Sequence, residues 1–307
     1  MPASDIIWDI HQHRRFDWRP AHQTPELTWP EGHKMALYVA INLEHFAFGS
    51  PEGAKLSQVT NSLDILNYSW RDYGNRVGAW HLADLFETLA IPPAVICNTS
   101  IIDYCPDLLE RWLAIPGSEL IGHGHTNSQR QGDLSPVDEE HLIQYCQQRL
   151  TDFQGKPVAG WLSPWISESQ QTPDFLKRQG FSYNLNWAHD DMPTWMQTEA
   201  GPLLSLPYPQ EINDIPTIIP NGASISQFCR MIEDQFSELK QRSQHNAQIM
   251  GIALHPYIVG QPFRFYQLKQ TLHQLMEQRD EIWLTTPSAI AQSFSSQASS
   301  TDNTSTI

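Results

Sequence analysis

The feature that most constrains this chain is a repeated alternation. Short apolar runs are separated by amphipathic stretches of helical period. The runs are MALYVAIN at 35–42, then 94–97, 119–122, 158–162, 181–186, 203–206, 249–254 and 281–284. The stretches between them are 76–89, 107–113, 136–153, 172–179, 225–241 and 265–278. Runs this short and this apolar read as strands buried on both faces, and the longer periodic stretches read as helices. Strand, helix, strand in repetition requires parallel pairing with right-handed crossovers. The fold class is therefore α/β. No glycine-rich phosphate loop follows the first run, which disfavours an open nucleotide-binding sheet and leaves a barrel-like closure. At 307 residues the chain has room for one barrel of about 250 residues. We divide it into an irregular N-terminal arm at 1–34, a barrel at 35–292, and a mobile Ser/Thr-rich tail at 293–307.

Charge narrows the partners. Nineteen Lys and Arg against 34 Asp and Glu give a net charge of −15, which argues against nucleic acid and against an anionic membrane surface. Cys97, Cys105, Cys146 and Cys229 include no CxxC pair, so they read as buried free thiols. The first residues carry no basic segment followed by an apolar one, and no apolar run approaches the ~20 residues of a membrane span. The expected location is cytoplasmic.

The chemistry gathers where the strands end. Asn42-Leu43-Glu44-His45, His123-Gly124-His125-Thr126-Asn127, Ser163-Pro164-Trp165, His189-Asp190-Asp191, Asn213-Asp214 and His255-Pro256 all sit at or soon after such an end. In parallel α/β folds these ends converge on one rim, and that rim carries the site. Carboxylates and imidazoles meeting there are equipment for general acid–base hydrolysis. Each residue alone also suits a turn or a cap: Asp190, Asp191 and Asp214 all stand close before a proline.

These segments, in this order, resemble the polysaccharide deacetylase superfamily (NodB homology, carbohydrate esterase family 4-like), and most closely its allantoinase-like and peptidoglycan-deacetylase-like branch. The matching stretches are NLEH at 42–45, YGNRVGAWHLADLF at 73–86, IGHGHTNS at 121–128, WLSPW at 161–165, HDDMPTW at 189–195, LPYPQEINDIP at 206–216 and IALHPYIVGQPFR at 252–264. The resemblance implies a distorted (β/α) barrel, often seven-stranded, that hydrolyses a C–N bond in an amide or ureide. It also hints at homo-oligomeric assembly. In the metal-dependent members the first motif supplies a base carboxylate and a metal-binding carboxylate, and the second supplies two metal-binding His. Here Glu44 stands at the base, His45 at the metal-binding carboxylate, His123 at the first metal His and Asn127 at the second. With that ligand set broken, we expect catalysis without a metal. If zinc is bound, the imidazoles available are His45, His123 and His125, the last two spaced to share a strand face.

On this reading Glu44 is the base, its pKa raised by partial burial. His123 or His255 stabilises the oxyanion or protonates the leaving nitrogen. Asp190, Asp191, Asn213 and Asp214, with His125, bind the N–H groups of a small amide or ureide. Trp165 and Trp195 wall the pocket, and Arg76 pairs with a rim carboxylate or an anionic substrate group. A metal-dependent N-acetyl-sugar deacetylase and a non-catalytic small-ligand binding protein on the same fold are the rival readings.

Overall fold

A computed structural model describes residues 13–24, 26–50, 52–58 and 63–302, with side chains to residue 297. Nine strands form one sheet: β1 (Met35–Leu43), β2 (Pro93–Cys97), β3 (Glu119–Gly122), β4 (Gly160–Trp161), β5 (Tyr183–Asn184), β6 (Thr194–Met196), β7 (Leu203–Ser205), β8 (Gln248–Leu254) and β9 (Trp283–Leu284). Their order is β6-β7-β5-β4-β3-β2-β1-β8, with β9 also on β1. Every pairing is parallel except β6 with β7. The sheet is curled and open: among the described residues no ladder joins β8 to β6 or β7, and one isolated bridge, Asn213 to Ala253, lies beyond β8. The expected α/β class and distorted barrel hold. The strand count is nine, because β6 turns back on β7 as a short antiparallel partner that the apolar runs do not announce.

All nine residues of β1 are buried, so polarity does not reveal its faces, but packing does. Met35, Leu37, Val39, Ile41 and Leu43 pack under the helices. Ala36, Tyr38 and Ala40 pack inside the curl. Successive side chains on a strand point to opposite faces. The inward set therefore continues through Asn42 to Glu44. The same parity carries Ala94 and Ile96 of β2 on to Asn98, Ile121 of β3 on to His123, and Ile249 and Ala253 of β8 on to His255. Chain geometry thus aims one carboxylate, one amide and two imidazoles at a single mouth.

The tail departs from expectation. Residues Pro287–Asp302 form a helix rather than a mobile segment. Ile290 and Ala291 are buried, Phe294 packs against the inner core, and the Gln297 amide donates to the Thr28 carbonyl at 2.8 Å. The apolar anchors lie at the start of the Ser/Thr-rich stretch, where composition averages hide them. The described part of the arm also docks: Trp29 is buried and donates its indole N–H to the Gln248 carbonyl at 2.9 Å. Residues 1–12 and 303–307 lie outside the described set, as does His11.

At the opposite end from the mouth, Glu119 opens β3. Its carboxylate accepts from the Tyr183 hydroxyl and, at 2.8 Å, from the Ser288 backbone N–H at the start of the last helix. Burial pushes its carboxyl up to about 7, against the pull of these hydrogen bonds. A raised carboxyl binds its proton more tightly in the folded state, so stability falls as pH climbs from the unfolded value of 4.5 through about 7. At ~1.4 kcal/mol per pH unit the loss is about 3 kcal/mol by pH 8. Glu119→Gln is therefore expected to melt roughly 5 °C above the parent at pH 8 and level with it near pH 5. Equal melting points at pH 8 would remove Glu119 as a source of strain.

Candidate active site

Glu44 follows β1, His255 follows the neighbouring strand β8, and His123 follows β3 on the other side of β2. The two imidazoles flank the carboxylate. Glu44 Oε1 lies 3.6 Å from His123 Nε2 and 3.5 Å from His255 Nε2. All three residues are buried, and all line a cavity of about 370 Å³.

The orientation of each ring is fixed from behind. His255 Nδ1 lies 2.6 Å from Asp214 Oδ1, and the His255 backbone N–H donates to Asp214 Oδ2 at 2.8 Å. Asp214 has no solvent exposure at all. His123 Nδ1 lies 2.6 Å from the Leu162 carbonyl, which can only accept, so Nδ1 carries a proton while Nε2 faces Glu44 at 3.6 Å. Glu44 Oε2 accepts from the Tyr257 hydroxyl at 3.3 Å, and its backbone carbonyl accepts from Asn75 Nδ2 at 2.8 Å. Asn75 sits in a π-helical turn, Gly74–Gly78, set into the path between helices Ile65–Tyr73 and Ala79–Leu89. That turn presses on the His255 segment. A Cβ on Gly78 would stand 2.3 Å from the Pro256 carbonyl oxygen, so only glycine permits the contact.

Burial alone would push Glu44 up. The charge of His255 and the facing His123 outweigh it and hold the carboxyl down at about 2. This reverses the expected raised base: the burial is present, but two imidazoles face the carboxylate. Burial likewise pushes His255 down, yet Asp214 and Glu44 overcome it and hold the ring up at about 10. At neutral pH Glu44 is ionised and the His255 ring is protonated; behind the ring, burial pushes the Asp214 carboxyl up against the pull of His255.

The other expected residues divide. Trp165 walls the cavity, and its indole N–H donates to the Asn127 carbonyl at 3.0 Å. Asn213 also lines it while capping the helix Asp214–Ile218, its Oδ1 accepting from the Ile215 N–H at 3.1 Å. Asp214 acts through His255 and does not line the cavity. Asp190 and Asp191 are elsewhere. Strand β5 stops at Asn184, and the following loop carries them to the side of the arm, where Asp190 caps the Met192 N–H and Asp191 lies 3.7 Å from Arg242. Trp195 is on β6 beside Phe294. Arg76 is on the surface, paired with Asp72 and 2.9 Å from the Tyr104 hydroxyl.

The zinc set does not assemble. His45 is off the inward parity: it stacks on Tyr104, with Nδ1 3.0 Å from Ser100 Oγ. His125 does not share a face with His123, because β3 ends at Gly122 and Gly124 turns the chain with φ +61°. Its Nδ1 lies 2.9 Å from Thr99 Oγ1, and its ring meets Tyr145 edge-on. Asn127 does reach the cavity, but its Oδ1 accepts from Asn98 Nδ2 at 3.0 Å. Among the described residues no group of three or more His, Cys, Asp or Glu is arranged to hold a metal ion. These residues do not fit the metal that the resemblance implies, and no step is routed through one.

The sequence reading missed Asn98 and Tyr257. Asn98 also ends a strand, and its side chain ties the His45 N–H, the His123 carbonyl and Asn127 together. The rule that picked Glu44 and His123 reaches it. Tyr257 follows the His-Pro pair by one residue, and only its contact with Glu44 marks it.

No family model matches the chain. It is 24% identical over 243 residues to a Schizosaccharomyces pombe protein named as a polysaccharide deacetylase, covering 74% of this chain and 75% of that one. It is 21% identical over 142 residues to the peptidoglycan deacetylase of Helicobacter pylori, 46% of this chain and 48% of that one. Among solved structures, a polysaccharide-deacetylase-type protein from Pseudomonas aeruginosa PAO1 superposes with a TM-score of 0.79 at 22% identity, covering 88% of this chain and 94% of that one. Puue allantoinase superposes with 0.78 at 23% identity, covering 88% and 93%. In sequence the chain is similar to proteins named as polysaccharide and peptidoglycan deacetylases, and in fold it is similar to a structure of that name and to Puue allantoinase alike.

Proposed function

We propose that the protein hydrolyses a carbon–nitrogen bond of a small amide or cyclic ureide, without a metal. The observation that carries this reading is the buried row Asp214–His255–Glu44, with His123 beside it, at the floor of a cavity of small-molecule size. It holds a proton donor and a proton acceptor 3.5 Å apart.

The low pKa of Glu44 makes it a weak base at rest. It need not stay weak. A water between Glu44 Oε1 and His123 Nε2 attacks the carbonyl carbon while His255 Nε2 gives its proton to the leaving nitrogen. As that proton leaves, the charge that held Glu44 down leaves with it, and burial then raises the carboxylate's affinity for the water's proton. The C–O bond forms and the C–N bond breaks. The proton now on Glu44 returns to His255 across the same short distance. Asp214 keeps the ring oriented and favours its imidazolium form.

The names of the relatives motivate a second substrate class, N-acetylated glycans. One experiment separates the readings. The purified protein is assayed on allantoin, hydantoins, cyclic imides and N-acetylated oligosaccharides, before and after exhaustive chelation, with metal content measured alongside. We expect turnover of a small cyclic compound that chelation leaves within twofold. Loss of turnover on chelation, with recovery on adding zinc, would overturn the metal-free mechanism. Turnover confined to the oligosaccharides would overturn the substrate class.

A further inference from the structure

The cavity has two unlike ends. Its buried polar end holds one carboxylate, Glu44, and no Lys or Arg lines it anywhere among the described residues. Apart from the exposed Gln210, the remaining wall is mostly apolar, with Leu162, Trp165 and Ile166 on one side, and Ile215, Pro216 and Ile219 on the other. The first side is built deliberately. Trp165 and Ile166 are consecutive non-glycine residues with φ of +64° and +52°, the one such adjacent pair among the described residues. Conformations of this kind cost about 1–3 kcal/mol each and persist only where the surroundings hold them. Here the Ile166 N–H donates to the Ser163 carbonyl at 2.8 Å, and the indole of Trp165 is tied to Asn127. The result is a rigid apolar wall.

The polar end is rich in donors. Asn127 and Asn213 each spend the side-chain oxygen inside the protein, Asn127 on Asn98 and Asn213 on the Ile215 N–H. What each amide has left for a ligand is its N–H pair. This reverses the expectation that Asn213 would accept substrate N–H groups. Two amide donors and the His255 ring therefore face a ligand at the buried end, against one carboxylate acceptor, while Gln210 at the exposed rim offers both kinds of group.

We infer that the preferred ligand is an uncharged amide whose head carries two carbonyl oxygens and whose body is apolar, rather than an anionic compound, a head rich in N–H groups or a glycan. The carbonyls meet the donors, and the body lies between Trp165 and Ile219. Among the described residues the one cation in the lining, the His255 imidazolium, already lies between Glu44 and Asp214, so a carboxylated ligand finds no free cationic partner. A glycan leaves its hydroxyls without partners along the apolar wall.

This inference names the substrate of the site proposed above, so its test reads binding rather than turnover. Phenylsuccinimide, succinimide, carboxymethyl-succinimide and chitotriose are titrated calorimetrically into the wild-type protein and into Glu44→Gln. We expect phenylsuccinimide to bind at least tenfold tighter than succinimide and than the carboxylated analogue, with chitotriose showing no saturation. Ile219→Asn is expected to erase the phenyl advantage and leave succinimide unchanged, and Asn127→Leu to weaken both imides about tenfold. Carboxymethyl-succinimide or chitotriose binding as tightly as phenylsuccinimide would overturn the inference, as would failure of every imide to bind. If the imides bind in the expected order but none is hydrolysed, the hydrolase reading fails and this inference stands.

Discussion

Glu44→Gln is expected to lower kcat by about a thousandfold, the range that a positioned base contributes, while the protein stays folded. Glutamine keeps the shape and can still accept from Tyr257, so loss of activity would report chemistry and not collapse. It removes the acceptor for the water's proton. It also removes one of the two carboxylates that hold His255 protonated, so His255 should titrate lower than about 10 in the variant. Single-turnover rates with circular dichroism check the first effect, and the imidazole resonance of His255 followed through a pH titration checks the second. Activity within tenfold of wild type would take Glu44 out of the reaction. The sign of the stability effect is separate. Glu44 has a folded pKa near 2 against an unfolded 4.5, so the stabilisation it supplies is complete above pH 4.5 and is lost as pH falls toward 2. Wild type and variant should accordingly differ least in acid.

How far the sequence reaches depends on which physical signal is asked. The alternation of strand and helix was legible because long amphipathic helices and short apolar runs differ in period. The convergence of Glu44, His123 and His255 was legible because parallel strands end on one rim. What failed were the faces. Polarity marks a strand's faces only when one side meets water, and β1 is buried on both, so Glu44 and His45 look equivalent in the sequence although they point to opposite sides. A size difference carries the information instead: Ala36 and Ala40 against Leu37 and Ile41 identify the crowded inner face. Asp190 and Asp191 were misplaced for another reason. A short strand leaves a long loop, and past a strand's end parity no longer predicts position. Asp214 was placed among the substrate-binding groups, but its zero exposure and bidentate hold on His255 make it a positioning residue. Electrostatics ran against the sequence reading because burial and opposite charge push a carboxyl in opposite directions, and only coordinates show which is nearer.

That positioning role gives the second large effect. With Glu44 ionised above about pH 3 and His255 protonated to about 10, both groups keep their working forms throughout the neutral range. The wild-type profile of kcat/KM should therefore be flat from about pH 5 to pH 9, with one alkaline limb that belongs to His255. Asp214→Asn removes the larger of the two charges that raise the ring, leaving burial, which lowers it, opposed by Glu44 alone. The limb must then move to lower pH, into the neutral range. At pH 8 the variant should lose at least a hundredfold in kcat, from the smaller protonated fraction together with looser orientation of the ring, and it should recover part of that loss toward pH 5. Breaking a buried ion pair also costs about 3–5 kcal/mol, so melting is measured beside the rates. A merely structural role predicts a loss of stability and of active fraction with the limb unmoved. A limb that stays near 10 in folded Asp214→Asn would therefore mean that His255 does not supply the proton, even if the rate falls.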